Sequence, residues 1–173
     1  MIARRRDAVQ CSRIVARIAT LALLVVGSPA RAGELLPFDA HSMQALRSEF
    51  SGRPFVVAFW SASCEPCREE LAHWASVLPK HPEVPVVLVA TDPPQDRAAV
   101  DAILARFDLG RSALRIFADE FAEKLRYTVD PKWRGEVPRS YFFDGRHRVE
   151  VKIGPVDSRW AERWFARAAA TAR

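Results

Sequence analysis

The sequence predicts an α/β domain built on one central mixed β-sheet with helices on both faces. Three observations carry that expectation. Two long apolar runs, Phe55–Trp60 ("FVVAFW") and Val84–Ala90 ("VPVVLVA"), read as strands buried on both faces. Each is followed by a stretch with helical periodicity, the pattern of a strand–helix–strand crossover. The last third then changes character, to two short strand-like runs joined at Asp144-Gly145 and a closing helix.

At 173 residues the chain suits one domain with a substantial core. Its first 32 residues have a different character. Arg4, Arg5, Arg6, Arg13 and Arg17 make a basic start, Ile18–Val26 is apolar, and Ala30-Arg31-Ala32 has the small-x-small pattern of a signal-peptidase site. This is the layout of a secretory signal, with cleavage expected after Ala32 and a folded domain over 33–173. The apolar run is short against the roughly 20 residues of a membrane-spanning helix. An uncleaved anchor in the inner membrane is the alternative.

The formal charge of +5 comes from that leader, which holds six arginines and one aspartate. The remainder is balanced, so the basic pI carries no expectation of nucleic-acid binding. Membrane contact is expected only if the leader stays attached. Cys11 also leaves with the leader. Cys64 and Cys67 then face an oxidising compartment as the only cysteines of the exported chain.

The elements follow in order. Gly33–Pro37 reads as a lead-in. Asp39 or Ser42 caps a helix to Phe50, with Met43, Leu46 and Phe50 on one face. Ser51-Gly52-Arg53-Pro54 breaks it ahead of the first strand. From Pro66 to Leu78 the positions Cys67, Leu71, Trp74 and Leu78 form one buried helical stripe. Pro79 and Pro82 end it before the second strand, which Asp92-Pro93-Pro94 closes. Arg97–Phe107 is helical, Leu114–Ala118 a short strand, and a helix lies near Glu120–Arg126. Ser140–Phe143 and Arg148–Ile153 form the hairpin. Asp157 caps the final helix, with Trp160, Trp164 and Ala168 inward.

The pair in "SCEPC" opens a helix, and a C-x-x-C there sets the two Cα atoms about 5 Å apart, within disulfide range. A loop this short constrains little of the unfolded chain, which argues against a purely structural bond. Structural zinc would need two further ligands. His41, His73, His81 and His147 are scattered, so neither a metal nor another cofactor is expected. Thiol–disulfide exchange remains. The unpaired N–H groups and positive dipole end of a helix N-terminus favour a thiolate at Cys64. Cys67, one turn on and facing the core, would resolve the mixed disulfide. Glu65 places a negative charge near Cys64 and should raise its pKa.

"FWSASCEPCREE" resembles the active-site segment of thioredoxin-like proteins, in particular the exported TlpA/ResA-like reductases. The resemblance extends over roughly Leu36–Ala169 and includes Pro138 and the hairpin "YFFDGRHRVEVKIG". It implies a thioredoxin fold and a periplasmic thiol–disulfide oxidoreductase acting mainly as a disulfide reductase. Cys64 is then the nucleophile and Cys67 the resolving cysteine. Glu70 matches a glutamate that assists proton transfer. Val137-Pro138 resembles the cis-proline bond whose backbone receives the substrate. Implied partners are protein disulfides or dithiols, such as the haem-attachment cysteines of apocytochromes c or copper-centre assembly proteins, and an upstream protein electron donor.

The chain departs from the pattern at several places. Ser63 replaces a common tryptophan, Ala58 a buried aspartate, Ala72 a helix-kinking proline and Arg139 a frequent threonine. The segment Asp130–Glu136 ("DPKWRGE") is longer than usual. Trp133 and Arg134 are expected either to overhang the cysteines and shape partner choice, or to pack as an ordinary loop. Two rival functions remain. A copper-carrying thioredoxin-like chaperone would use a wider cysteine spacing, although a reduced C-x-x-C can hold Cu(I). A peroxiredoxin-type peroxidase would need a proline at position 57, where the chain has Val57.

Overall fold

The computed structural model describes residues 33–171. The expected leader, residues 1–32, lies outside them. Among the described residues no helix is long and apolar enough to cross a membrane.

The strands are β1 (Leu35–Phe38), β2 (Phe55–Trp60), β3 (Val86–Ala90), β4 (Ala113–Phe117), β5 (Arg139–Phe143) and β6 (Val149–Ile153). The helices are α1 (Ser42–Glu49), α2 (Glu65–Val77), α3 (Arg97–Leu104), α4 (Ala122–Val129) and α5 (Ser158–Thr171). One six-stranded sheet runs in the order β1-β4-β3-β2-β5-β6. β1, β4, β3 and β2 are mutually parallel; β5 runs antiparallel to β2, and β6 antiparallel to β5. The mixed sheet is the one expected, with β2 and β3 central and buried along their whole length.

Period-2 alternation divides the core into two layers. Val56, Ala58 and Trp60 of β2 face Leu71 and Trp74 of α2, Val100 of α3 and Trp164 and Phe165 of α5. Phe55, Val57 and Phe59 face Met43, Leu46 and Phe50 below α1 and Leu125 of α4. Phe142 of β5 anchors the first layer, 4.7 Å from the Trp160 ring and 5.0 Å from that of Trp164. Helices therefore cover both faces, with α2, α3 and α5 on one and α1 and α4 on the other.

Several boundaries differ from the sequence reading. The expected lead-in, Gly33–Pro37, overlaps β1, which pairs in parallel with β4 and buries Phe38 completely. Four residues containing Pro37 carry no periodic signal, and an edge strand tolerates a proline that a central strand would not. The second central strand starts at Val86, because Pro85 has no N–H for the ladder. The third helix stops at Leu104, and Phe107 lies in the turn beyond it. The hairpin closes over a loop longer than Asp144-Gly145. Asp144 Oδ1 accepts from the N–H groups of Arg146 and Arg148, both at 2.9 Å, and His147 takes the positive φ of 57°. Asp157 caps α5 as expected, accepting from the Trp160 N–H at 2.8 Å.

Candidate functional site

The cysteine pair sits where β2 ends and α2 begins. Cys64 has extended backbone, φ −91° and ψ 112°, and is the N-cap of α2. Its Sγ takes the place of a capping oxygen and accepts the Cys67 N–H at 3.2 Å. Pro66 sits in the first turn, where its missing N–H leaves nothing unsatisfied. The pair is joined as a disulfide with Cα atoms 5.3 Å apart. Cys64 is partly exposed while Cys67 is fully buried beneath α2. The same N–H donor and helix dipole that cap the disulfide sulfur would stabilise a Cys64 thiolate after reduction.

The cis-proline bond implied by the resemblance is present. Val137–Pro138 is cis, and the Val137 carbonyl oxygen lies 3.7 Å from Cys64 Sγ. This loop, 73 residues away in sequence, therefore lies against the Cys64 sulfur. Pro138 is buried, and its carbonyl accepts the Gly154 N–H at 2.8 Å, which ties the loop to the end of β6.

Glu70 lies one turn beyond Cys67 and is only 2 % exposed. Val156 N–H donates to its Oε2 at 2.7 Å, and the Ser140 hydroxyl makes a longer bond of 3.5 Å to Oε1. Burial raises its pKa above the ordinary value, and the Val156 and Ser140 bonds offset only part of that effect. Glu65, by contrast, is exposed and paired with Arg68, whose Nη1 also donates to the Ala62 carbonyl at 3.2 Å.

Two groups beside the site carried no functional signal in the sequence. Asp92, at the end of β3, is 8 % exposed. Its carboxylate accepts the Ala62 N–H at 3.0 Å and the Ser61 hydroxyl at 3.0 Å, so it holds the loop leading into Cys64. The sequence marks Asp92-Pro93 only as a strand stop. The available clue is its place at the carboxyl end of a parallel strand, where sites in open sheets gather. Arg139 follows Pro138 and is also buried. Its Nη2 lies 2.7 Å from Asp130 Oδ2 and its Nε donates to the Tyr141 hydroxyl at 2.6 Å. Burial pushes the Tyr141 pKa up to about 12, which keeps that phenol protonated.

Trp133 does not overhang the cysteines. It is 4 % exposed and packs on the opposite face of the sheet, 4.7 Å from the Phe59 ring. Its indole N–H donates to the Glu136 carbonyl at 2.9 Å, and the Arg139 guanidinium lies 5.7 Å from its ring centre. The longer connection thus folds inward, because burying an indole with its N–H satisfied is worth more than leaving it in water. Arg134 is exposed. Among the histidines, His73 is half-buried against Ser158, and burial lowers its pKa. Among the described residues no three His, Cys, Asp or Glu side chains gather as a metal site.

No family model matches the chain. Over 106 residues it is 30% identical to the thiol-disulfide oxidoreductase ResA of Bacillus thuringiensis subsp. konkukian, an alignment covering 61% of this chain. Over the same length it is 30% and 26% identical to the ResA proteins of two Bacillus cereus strains. The match spans 57% of the length of these relatives. Among solved structures it resembles a secreted Mycobacterium tuberculosis disulfide oxidoreductase homologous to Escherichia coli DsbE, with a TM-score of 0.56 and 17% identity, covering 69% of this chain and 85% of that one. A thioredoxin family thiol:disulfide interchange protein from Chlorobium tepidum gives a TM-score of 0.57 at 18% identity, covering 70% and 83%. At these identities the structural likeness shows a shared thioredoxin fold.

Proposed function

We propose that the chain is a ResA-like member of the thioredoxin-like superfamily and an exported thiol–disulfide oxidoreductase working mainly as a disulfide reductase; the similarity to ResA proteins and the shared thioredoxin fold support that reading. The observation that carries the reading is the position of Cys64 Sγ. It lies between the Cys67 N–H and the Val137 carbonyl, while Cys67 waits buried behind it.

In the reduced protein the Cys64 thiolate attacks one sulfur of a substrate disulfide. That S–S bond breaks, one substrate thiolate leaves and a mixed disulfide forms. Cys67 loses its proton and attacks Cys64 Sγ, which expels the second substrate thiolate and closes the Cys64–Cys67 bond. Two electrons pass from the pair to the substrate. A dithiol protein of higher reducing power restores the pair. Extended substrate backbone would lie along Val137 and Pro138. Glu70 is the proposed proton carrier for the Cys67 side of the exchange, as the only buried carboxylate on α2 among the described residues.

The compartment belongs to the same proposal. Residues 1–32 act as a secretory signal, residues 33–173 form the thioredoxin-like domain, and the pair works in the periplasm. N-terminal sequencing of protein from the cell envelope should begin at Gly33; an intact Met1 in the membrane fraction would establish the anchored form. Candidate substrates are the haem-attachment cysteines of apocytochromes c and copper-centre assembly proteins.

The test of the chemistry is reduction of an insulin disulfide with dithiothreitol as donor. Catalysis by the wild type and none by Cys64→Ala is expected. Cys67→Ala should arrest on its substrates as a mixed disulfide, and mass spectrometry of those adducts would identify them. No catalysis, together with Cu(I) retained on the reduced pair, would favour a copper-carrying protein instead.

A further inference from the structure

We propose that two copies of this chain pair edge to edge through β6, antiparallel, about a two-fold axis at Val151. The strand ends the six-stranded sheet, and its outer edge meets no other strand among the described residues. The antiparallel ladder decides which backbone groups it offers. Gly154 N–H donates to Pro138 O, and the register continues through Ser140↔Lys152 and Phe142↔Glu150. Residues 150, 152 and 154 thus spend their hydrogen bonds on β5. Alternation leaves the N–H and C=O groups of Val149, Val151 and Ile153 pointing away from the sheet.

The same three residues carry exposed apolar side chains. Val149 is 47 % exposed, Val151 37 % and Ile153 61 %. They lie on the face of Tyr141 and Phe143, beyond the cover of α1. An exposed apolar edge is the feature that folded proteins ordinarily blunt with charge or proline, and on the face of Val149, Val151 and Ile153 neither interrupts the apolar row.

The sequence "VEVKI" is complementary to itself in antiparallel order. About an axis at Val151, Val149 stands opposite Ile153, and Glu150 opposite Lys152, of the partner subunit. Apolar side chains meet on one face and opposite charges on the other, which is the favourable pairing for directly opposed strand residues. Both charges already lie along the α5 face. Lys152 Nζ sits 3.9 Å over the Trp160 ring, and Glu150 is 3.4 Å from Arg167. A second copy meets every demand of this edge at once: free backbone groups, apolar area and alternating charge. The site at Cys64 lies at the start of α2, not on this edge.

Sedimentation of the full purified protein tests the proposal. A five-residue edge is small, and interfaces below about 1,200 Å² are usually transient, so the series should reach about 1 mM. A concentration-dependent dimer is expected. Val151→Lys, which sets like charges against each other on the axis, should weaken association at least about tenfold, the effect of roughly 1.4 kcal/mol. E150K should weaken it as well, and the double variant E150K/K152E should restore it, while unchanged circular dichroism shows that each variant is folded. A wild type that is monomeric throughout the series would overturn the proposal, including a monomer whose β6 amides are protected from exchange by residues 1–32. A dimer that ignores Val151→Lys, or a double variant that stays weak, would overturn it equally.

Discussion

Cys64 and Cys67 differ in little but surroundings, and the surroundings assign their proposed roles. Cys64 is reachable and capped by an N–H donor, whereas Cys67 is sealed under α2. Thiol reactivity follows thiolate character and access. Alkylation of the reduced protein, followed by peptide mapping, should therefore label Cys64 at least about tenfold faster than Cys67. Equal rates would remove the assignment. Glu70 sits one turn deeper, where burial favours its neutral, proton-bearing form. Glu70→Gln keeps the shape and can still accept from Val156 N–H, but it cannot titrate. Exchange should slow by about a hundredfold, the low end of general acid–base effects, with a flattened pH–rate profile. A wild-type rate and profile would leave Glu70 as a structural tie between α2, β5 and the segment before α5.

At the scale of elements, the loop from Asp130 to Pro138 is held from below. Arg139 joins Asp130, Glu136 and Tyr141 and stacks near Trp133, so the backbone just before it has little freedom. Asp130 has its pKa held below the ordinary range by the Lys132 N–H first and by Arg139 next. Arg139→Met would remove one partner of a largely buried ion pair. Such losses cost about 3–5 kcal/mol; Asp130 keeps some access to water, so about 2–3 kcal/mol is expected, read from denaturant unfolding. Because Val137 rides on this loop, the variant should also raise KM for a peptide disulfide more than it lowers kcat. Unchanged stability and KM would mean that the ion pair neither holds nor places the loop.

Across the whole molecule the ionisable groups with shifted pKa values impose a pH dependence with a definite sign. A carboxyl whose pKa is raised by folding binds more protons in the native state than in the unfolded chain. Glu70 therefore costs nothing below its ordinary value of 4.5 and takes stability away as pH rises from there through its raised value. His73 acts oppositely in part of the same range. Its pKa is lowered from 6.5, chiefly by burial, so stability falls as pH drops below that value. Asp39 and Asp144, with lowered pKa values, contribute stability above 3.8 that disappears in stronger acid. The difference between wild type and Glu70→Gln isolates the Glu70 part. Unfolding free energies measured from about pH 4 to 8 should show the variant gaining on wild type as pH rises. A pH-independent difference would show that Glu70 ionises as freely folded as unfolded.

Sequence alone determined what is local and repetitive. Apolar runs fix β2 and β3, helical periodicity fixes the inward stripe of α2, and the C-x-x-C at a helix start sets two cysteines within disulfide reach. Each of these signals lies within a few residues and follows a known period. Only the tertiary structure decided the rest. β1 is a strand because β4 supplies its partner, which no four-residue pattern containing a proline could announce. Trp133 points into the core because Phe59, Glu136 and Arg139 receive it there. Asp92 reaches the Ser61–Ala62 loop across 30 residues of sequence, and Glu70 finds Val156 across 86. Hydrogen bonds of buried polar groups are set by whatever donor the fold brings near, and that proximity has no period along the chain.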